Sequence, residues 1–247
     1  DTGAGSITVS GIIGDVGTSG VAIGTIDINN SDGAGTITLA GIGSSTTAGN
    51  AGTVDIGNTA TADLNLAGTF FTGGATTYQA DATGKDIDIT ANTTIKTTAS
   101  DITFQTGEID ITDGVTLVTI NSGSGDLTLV NIHGDGTTDT TDLDIDGAAV
   151  TVKDIGLSTA ADEINGVNIT GTTVNLNGAI YTGGSGNTVD ITGAVTLGGA
   201  TTIDTTNAGG GAVTITGAVT GANDLDILSG TALATITGNI GVGGALS

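Results

Sequence analysis

The chain has 247 residues, 45 of them glycine and none of them Pro, Cys, Met or Trp, and its 26 acidic residues face only three lysines, for a formal charge of −23. So few cations exclude nucleic-acid binding by phosphate neutralisation and docking on an anionic membrane surface. A mean hydropathy of +0.28 argues against disorder, and the missing Pro and Gly-X-Y period exclude collagen.

Taken in chain order, the predicted elements are short strands in which apolar residues alternate with Thr, Asp or Asn. The first are Ile7-Thr8-Val9, Ile26-Asp27-Ile28, Ile37-Thr38-Leu39, Val54-Asp55-Ile56 and Leu64-Asn65-Leu66. Then come Ile87-Asp88-Ile89, Ile109-Asp110-Ile111, Leu127-Thr128-Leu129 and Leu143-Asp144-Ile145. The series ends with Val167-Asn168-Ile169, Val174-Asn175-Leu176, Val189-Asp190-Ile191, Val213-Thr214-Ile215 and Leu225-Asp226-Ile227. A period of two puts one face of each strand inward and the other in water. Gly, Asn, Asp and Ser cluster between the strands, which is turn chemistry. The expected strand length is about three to five residues. Residues 134–146 are the most polar stretch and are expected to include a loop.

Larger units also recur. Gly3 to Ile12 returns as Gly33 to Ile42 and again as Gly123 to Ile132. Asp86-Ile-Asp-Ile-Thr returns as Glu108-Ile-Asp-Ile-Thr. Short strands repeating every 20 to 30 residues are a solenoid signature. An antiparallel sandwich is the competitor, but it would show longer strands, an aromatic core and no repetition. The expected fold is therefore all-β, a parallel β-helix (β-solenoid) of about 8–12 coils, with Gly and Asn at tight corners. Absence of Pro fits, since internal strands donate hydrogen bonds to both neighbours. Residues 1–247 read as one solenoid segment. The chain opens on Asp1 and reads as a piece of a longer repetitive chain or fibre.

From about Phe70 onward the text resembles the repeat body of filamentous-haemagglutinin-like bacterial exoproteins. The residues carrying the resemblance are Thr72 to Gln79, Ile89 to Ile95, Asp101 to Phe104, Gly193 to Leu197 and Ile215 to Leu225. It implies a right-handed β-helix and an extracellular, cell-surface setting in an adhesin or surface fibre. The chain has no Pro and so lacks the Asn-Pro of that family's secretion signature.

Little catalytic chemistry is legible. The single histidine, His133, has Asp126 and Asp135 near it in sequence, but no Cys and no G-x-S-x-G elbow accompanies it. It reads as a turn residue beside Gly134. With five aromatics and no Arg, a sugar cleft or a lyase centre has few candidate parts. Asp142, Asp144 and Asp146 open like a calcium loop, D-x-D-x-D-G, but Lys153 stands where Glu is required. The same residues read better as a strand with Leu143 and Ile145 inward and three Asp outward; they are the candidate site for a loosely held Ca²⁺. Gly183 to Thr188 follows the calcium-binding G-G-x-G-x-D pattern until Thr188 replaces its Asp. Thr-x-Thr pairs at 36/38, 214/216 and 235/237 could form a hydroxyl array like that of ice-binding solenoids, or simply reflect β-propensity.

The function expected is a non-enzymatic extracellular rod of a bacterial adhesin, filament or coat. The alternatives are a β-helix carbohydrate-active enzyme (polysaccharide lyase or hydrolase) and, less favoured, an ice-binding solenoid. The rod requires no cofactor. Its expected partners are further repeats or copies of itself stacked end to end, and cell-surface or matrix carbohydrate. No nucleic acid and no transmembrane segment is expected.

Overall fold

The computed structural model describes residues 5–14, 24–28, 35–44, 52–80, 86–135, 140–158, 164–183, 187–207 and 209–241. These residues contain strands and turns and no helix. Among them every strand pairing and isolated bridge is parallel, with partners one coil apart in sequence. The architecture is a β-solenoid of about eight turns. The antiparallel sandwich is thereby excluded.

Each coil contributes to three ladders. The first stacks Ile7, Ile37, Leu64, Ile87, Ile109 and Ile132, then continues through Ile155, Ile180, Ile203 and Ile227. The second stacks Ile13, Ile42, Phe70, Ile95, Ile120, Ile145, Ile169, Ile191, Ile215 and Ile236. The third runs from Ile26 through Val54, Thr76, Ile102, Leu127, Val150, Val174, Val195 and Val219 to Ile240. Most of these side chains are fully buried in one continuous aliphatic core. The alternation that was read from sequence is therefore the inward half of each ladder, and the intervening Thr, Asp and Asn face outward.

Five strands exceed the expected length, Ile37–Ile42, Leu64–Thr72 and Val189–Leu197 among them. Asp142–Val152 and Gly166–Leu176 each run 11 residues, because the second and third faces join through a corner without losing strand geometry. Of the polar stretch 134–146, residues 142–146 are strand and residues 136–139 lie outside the described residues.

That corner is built in two ways. In the earlier coils Thr72, Thr97 and Ser122 turn buried hydroxyls inward. Thr97 Oγ1 donates to the Ser122 carbonyl at 3.1 Å, and Ser122 Oγ donates to the Gly125 carbonyl at 2.8 Å. From Gly147 onward the corner passes to glycine: Gly147, Gly171, Gly193, Gly217 and Gly238. Gly193 has φ +142°, and a Cβ there would lie 2.1 Å from the Gly171 carbonyl oxygen. Coils pack backbone to backbone at this edge, which no side chain permits.

The interior holds three aromatic rings. Tyr78 stacks on Phe104 with centroids 4.9 Å apart and meets Phe70 edge-on at 6.3 Å. Tyr78 is fully buried and its hydroxyl has no hydrogen-bond partner.

Candidate functional site

Alternation places the odd members of Asp86–Ile89, Glu108–Thr112 and Ile132–Asp135 on opposite sides of the first ladder from their neighbours. Ile87, Ile89, Ile109, Ile111 and Ile132 point inward, so Asp86, Asp88, Glu108, Asp110 and His133 share the outer face. Register then brings them together. Glu108 lies opposite Asp86, Asp110 opposite Asp88, and His133 opposite Asp110.

The result is a concentrated acidic patch. Asp86, Asp88 and Asp110 are half-buried, and each offers a carboxylate oxygen within 4.8 Å of the others. Two carboxylates at ladder spacing repel by about 3–4 kcal/mol at an effective dielectric near 20. Burial, chiefly, and then the charge and hydrogen bond of Asp86 push the Asp110 carboxyl up to about 7; Asp88 and Glu108 add to the effect. His133 Nδ1 lies 3.5 Å from Glu108 Oε2 and 3.8 Å from Asp110 Oδ1. Asn131 Nδ2 donates to Glu108 Oε1 at 3.1 Å and holds that side chain in place. A weaker version occurs on the third face, where Asp55 stacks on Asp27 and its carboxyl is raised by burial and by that neighbour.

The expected turn position of His133 is corrected. It sits within a strand, is 9% exposed, and faces carboxylates of the preceding coil. Asp126, its neighbour in sequence, belongs to another face, where its carboxylate accepts from the Ala149 amide at 3.2 Å. The side chain of Asp135 lies outside the described residues. The signal for the patch was the Asp86-Ile-Asp-Ile-Thr and Glu108-Ile-Asp-Ile-Thr repeat, continued one coil further to Asn131-Ile-His133.

Asp142, Asp144 and Asp146 occupy alternate outward positions along one strand, with Leu143 and Ile145 buried between them. Each carboxylate accepts from an asparagine of an adjacent coil: Asn165 at 2.8 Å, Asn168 at 2.8 Å and Asn121 at 3.0 Å, respectively. Alternate strand positions stand about 6.6 Å apart, so the three spread along the surface. Shallow grooves flank this strand. One, of about 300 Å³, is lined by residues including Leu117, Asp142, Asp144 and Asn168. The other, of about 420 Å³, is lined by Gly, Ser, Thr, Ala and Asp146. Neither is lined by an aromatic ring or a lysine.

Other motifs disperse. In the Gly183 to Thr188 segment, residues 184–186 lie outside the described residues, and Asn187 Nδ2 donates to the Thr182 carbonyl at 2.7 Å. Thr214 stacks between Asp190 and Thr235, so its outward column mixes hydroxyl with carboxylate. Lys96 lies over the Phe71 ring at 4.3 Å. No helix among the described residues is long and apolar enough to cross a membrane.

No family model, no curated protein and no solved structure matches this chain. The fold defines the class, a parallel β-solenoid repeat protein.

Proposed function

We propose that this chain is a stiff structural segment of an extracellular bacterial surface protein: an adhesin, filament or coat. The observation that carries this reading is the continuity of the three parallel ladders over about eight turns. Every coil hydrogen-bonds to the coils before and after it. Bending the rod would stretch a whole ladder at once. At about 4.8 Å per coil the stack is roughly 40 Å long, enough to act as a spacer. The texture of Thr72 to Gln79 and Gly193 to Leu197, which resembles filamentous-haemagglutinin-like exoproteins, supports the surface setting. Acidic side faces discourage lateral clumping. Leu228, Leu233 and Ile240 in the last described coil are 48%, 73% and 54% exposed. A further coil, or another copy stacked end to end, would cover apolar surface there.

Antibody raised against the segment tests the setting. It should label intact cells that express the parent protein, and surface proteolysis should remove the label. Labelling that appears only after permeabilisation would refute the extracellular reading. Small-angle scattering of the purified segment tests the rod, with an elongated particle expected and a compact sphere contradicting it.

A further inference from the structure

The chain holds two Asn-Gly pairs, Asn165-Gly166 and Asn177-Gly178. Along the chain they are equivalent. In each, the glycine amide nitrogen approaches the asparagine Cγ with no Cβ in its way, the geometry that closes a five-membered imide. The fold separates them.

At Asn165 both reacting groups are tied down. The side-chain amide donates to Asp142 Oδ1 at 2.8 Å. Gly166 opens the strand Gly166–Leu176, and its N–H donates to the Thr141 carbonyl at 3.4 Å, beside that of Asn165 at 2.9 Å. A carboxylate at position 165 would stand against the one on Asp142, and like charges that close repel.

At Asn177 both groups are free. Asn177 is exposed, and with Gly178 it lies in the turn between Gly166–Leu176 and Ile180–Tyr181. Among the described residues neither the Asn177 side-chain amide nor the Gly178 N–H has a hydrogen-bond partner. The turn is pinned on either side of them. Asn177 N–H donates to the Val152 carbonyl at 3.0 Å, and Ala179 N–H donates to Asp154 Oδ1 at 2.7 Å. Packing also demands the glycine, because a Cβ at 178 would lie 2.8 Å from the Asp154 backbone nitrogen. Val152, Leu176 and Leu197 pair across three coils, so the next residues, Lys153, Asn177 and Gly198, fall in line. A carboxylate formed at 177 therefore has a cation on one side and no side chain on the other.

We propose that Asn177 is a self-modification site, which deamidates in the folded rod while Asn165 stays intact. The Gly178 nitrogen attacks Asn177 Cγ and forms the new N–C bond. The C–Nδ2 bond breaks, and the Gly178 proton leaves with that nitrogen as ammonia. Water then opens the imide at either carbonyl, giving aspartate or isoaspartate. Each event adds one negative charge. Isoaspartate also adds a backbone atom, but in the turn, where no ladder register depends on it.

The test incubates the whole chain at mildly alkaline pH, folded and, in parallel, unfolded in guanidinium chloride. Deamidation adds about 1 Da, and tandem mass spectrometry assigns it to either pair. In the folded chain Asn177 should convert about tenfold or more faster than Asn165, whose ladder hydrogen bonds open only by local unfolding. In guanidinium the two should convert at similar rates. Asn177→Gln should remove the fast conversion, and Asn165→Gln should leave it in place. Three results would each overturn the proposal: an Asn165 that converts as fast as Asn177 in the folded chain, a folded chain in which Asn177 stays intact while both pairs convert in guanidinium, or a preference for Asn177 that persists unfolded. The wild-type rates decide the matter even if a variant misfolds.

Discussion

Tyr78→Phe should stabilise this protein. Tyr78 is fully enclosed between Phe104, stacked on it at 4.9 Å, and Phe70 at its edge. Its hydroxyl lies in the interior with no partner. Burial also pushes the phenol above its ordinary pKa, so it stays neutral and the cost is that of a dipole, not a charge. Mutational data put an unpaired buried hydroxyl at about 1–3 kcal/mol. Phe keeps the ring and both aromatic contacts. The void left by one oxygen costs a few tenths of a kcal/mol, at about 24 cal/mol per Å³. The net gain is about 1–2 kcal/mol, or about 2–6 °C in melting temperature for a chain of this size. Differential scanning calorimetry of both proteins, with urea melts as a check, measures it. A lower melting temperature for Tyr78→Phe would refute the reasoning, because it would mean the hydroxyl is satisfied, for example by an enclosed water.

Leu129→Asp puts a carboxylate at a position 1% exposed, between Phe104 and Val152 on neighbouring coils, and should cost about 4 kcal/mol or more in urea melts. Gly193→Ala should destabilise by about 2 kcal/mol or more. Gly114→Ala, at φ +88° with nothing within 4 Å of the added Cβ, should cost only about 1–2 kcal/mol. Equal losses would mean that the glycine corner is not in backbone contact. The pH dependence follows from Asp110. Its folded pKa, about 7, exceeds the ordinary value of 3.8, so the folded state binds the extra proton between them. The stability contributed there is fully present below pH 3.8 and is lost as pH rises from there through about 7. Asp110→Asn should therefore melt higher than wild type at pH 8 by a margin that shrinks steadily as pH falls from about 7 toward 3.8, and identical pH profiles would contradict the assignment.

The class and the interior of this protein are legible in the order of its residues. Alternation in Ile87-Asp88-Ile89 or Val213-Thr214-Ile215 fixes which side chains face inward, because successive strand residues point to opposite sides whatever the strand pairs with. Repetition at 20 to 30 residues without helix formers then leaves a solenoid as the structure that buries every such strand. Two features lay beyond that reasoning. Along the chain the acidic neighbours of His133 are Asp126 and Asp135, but its neighbours in space are Asp110 and Glu108, one coil back. Composition predicts Gly and Asn at the tight corners, but Thr72, Thr97 and Ser122 form the earlier half of this one, with the Thr72 hydroxyl bonded to that of Thr76 and the hydroxyls of Thr97 and Ser122 donating to backbone carbonyls. The physical reason is common to both. In a solenoid the lateral partner of a residue is a full coil away, and the turns between strands vary in length. Steps along the first ladder range from Ile87 to Ile109 up to Ile7 to Ile37. Local pattern fixes the face a side chain takes, and only the completed coils fix the register that decides what it meets there.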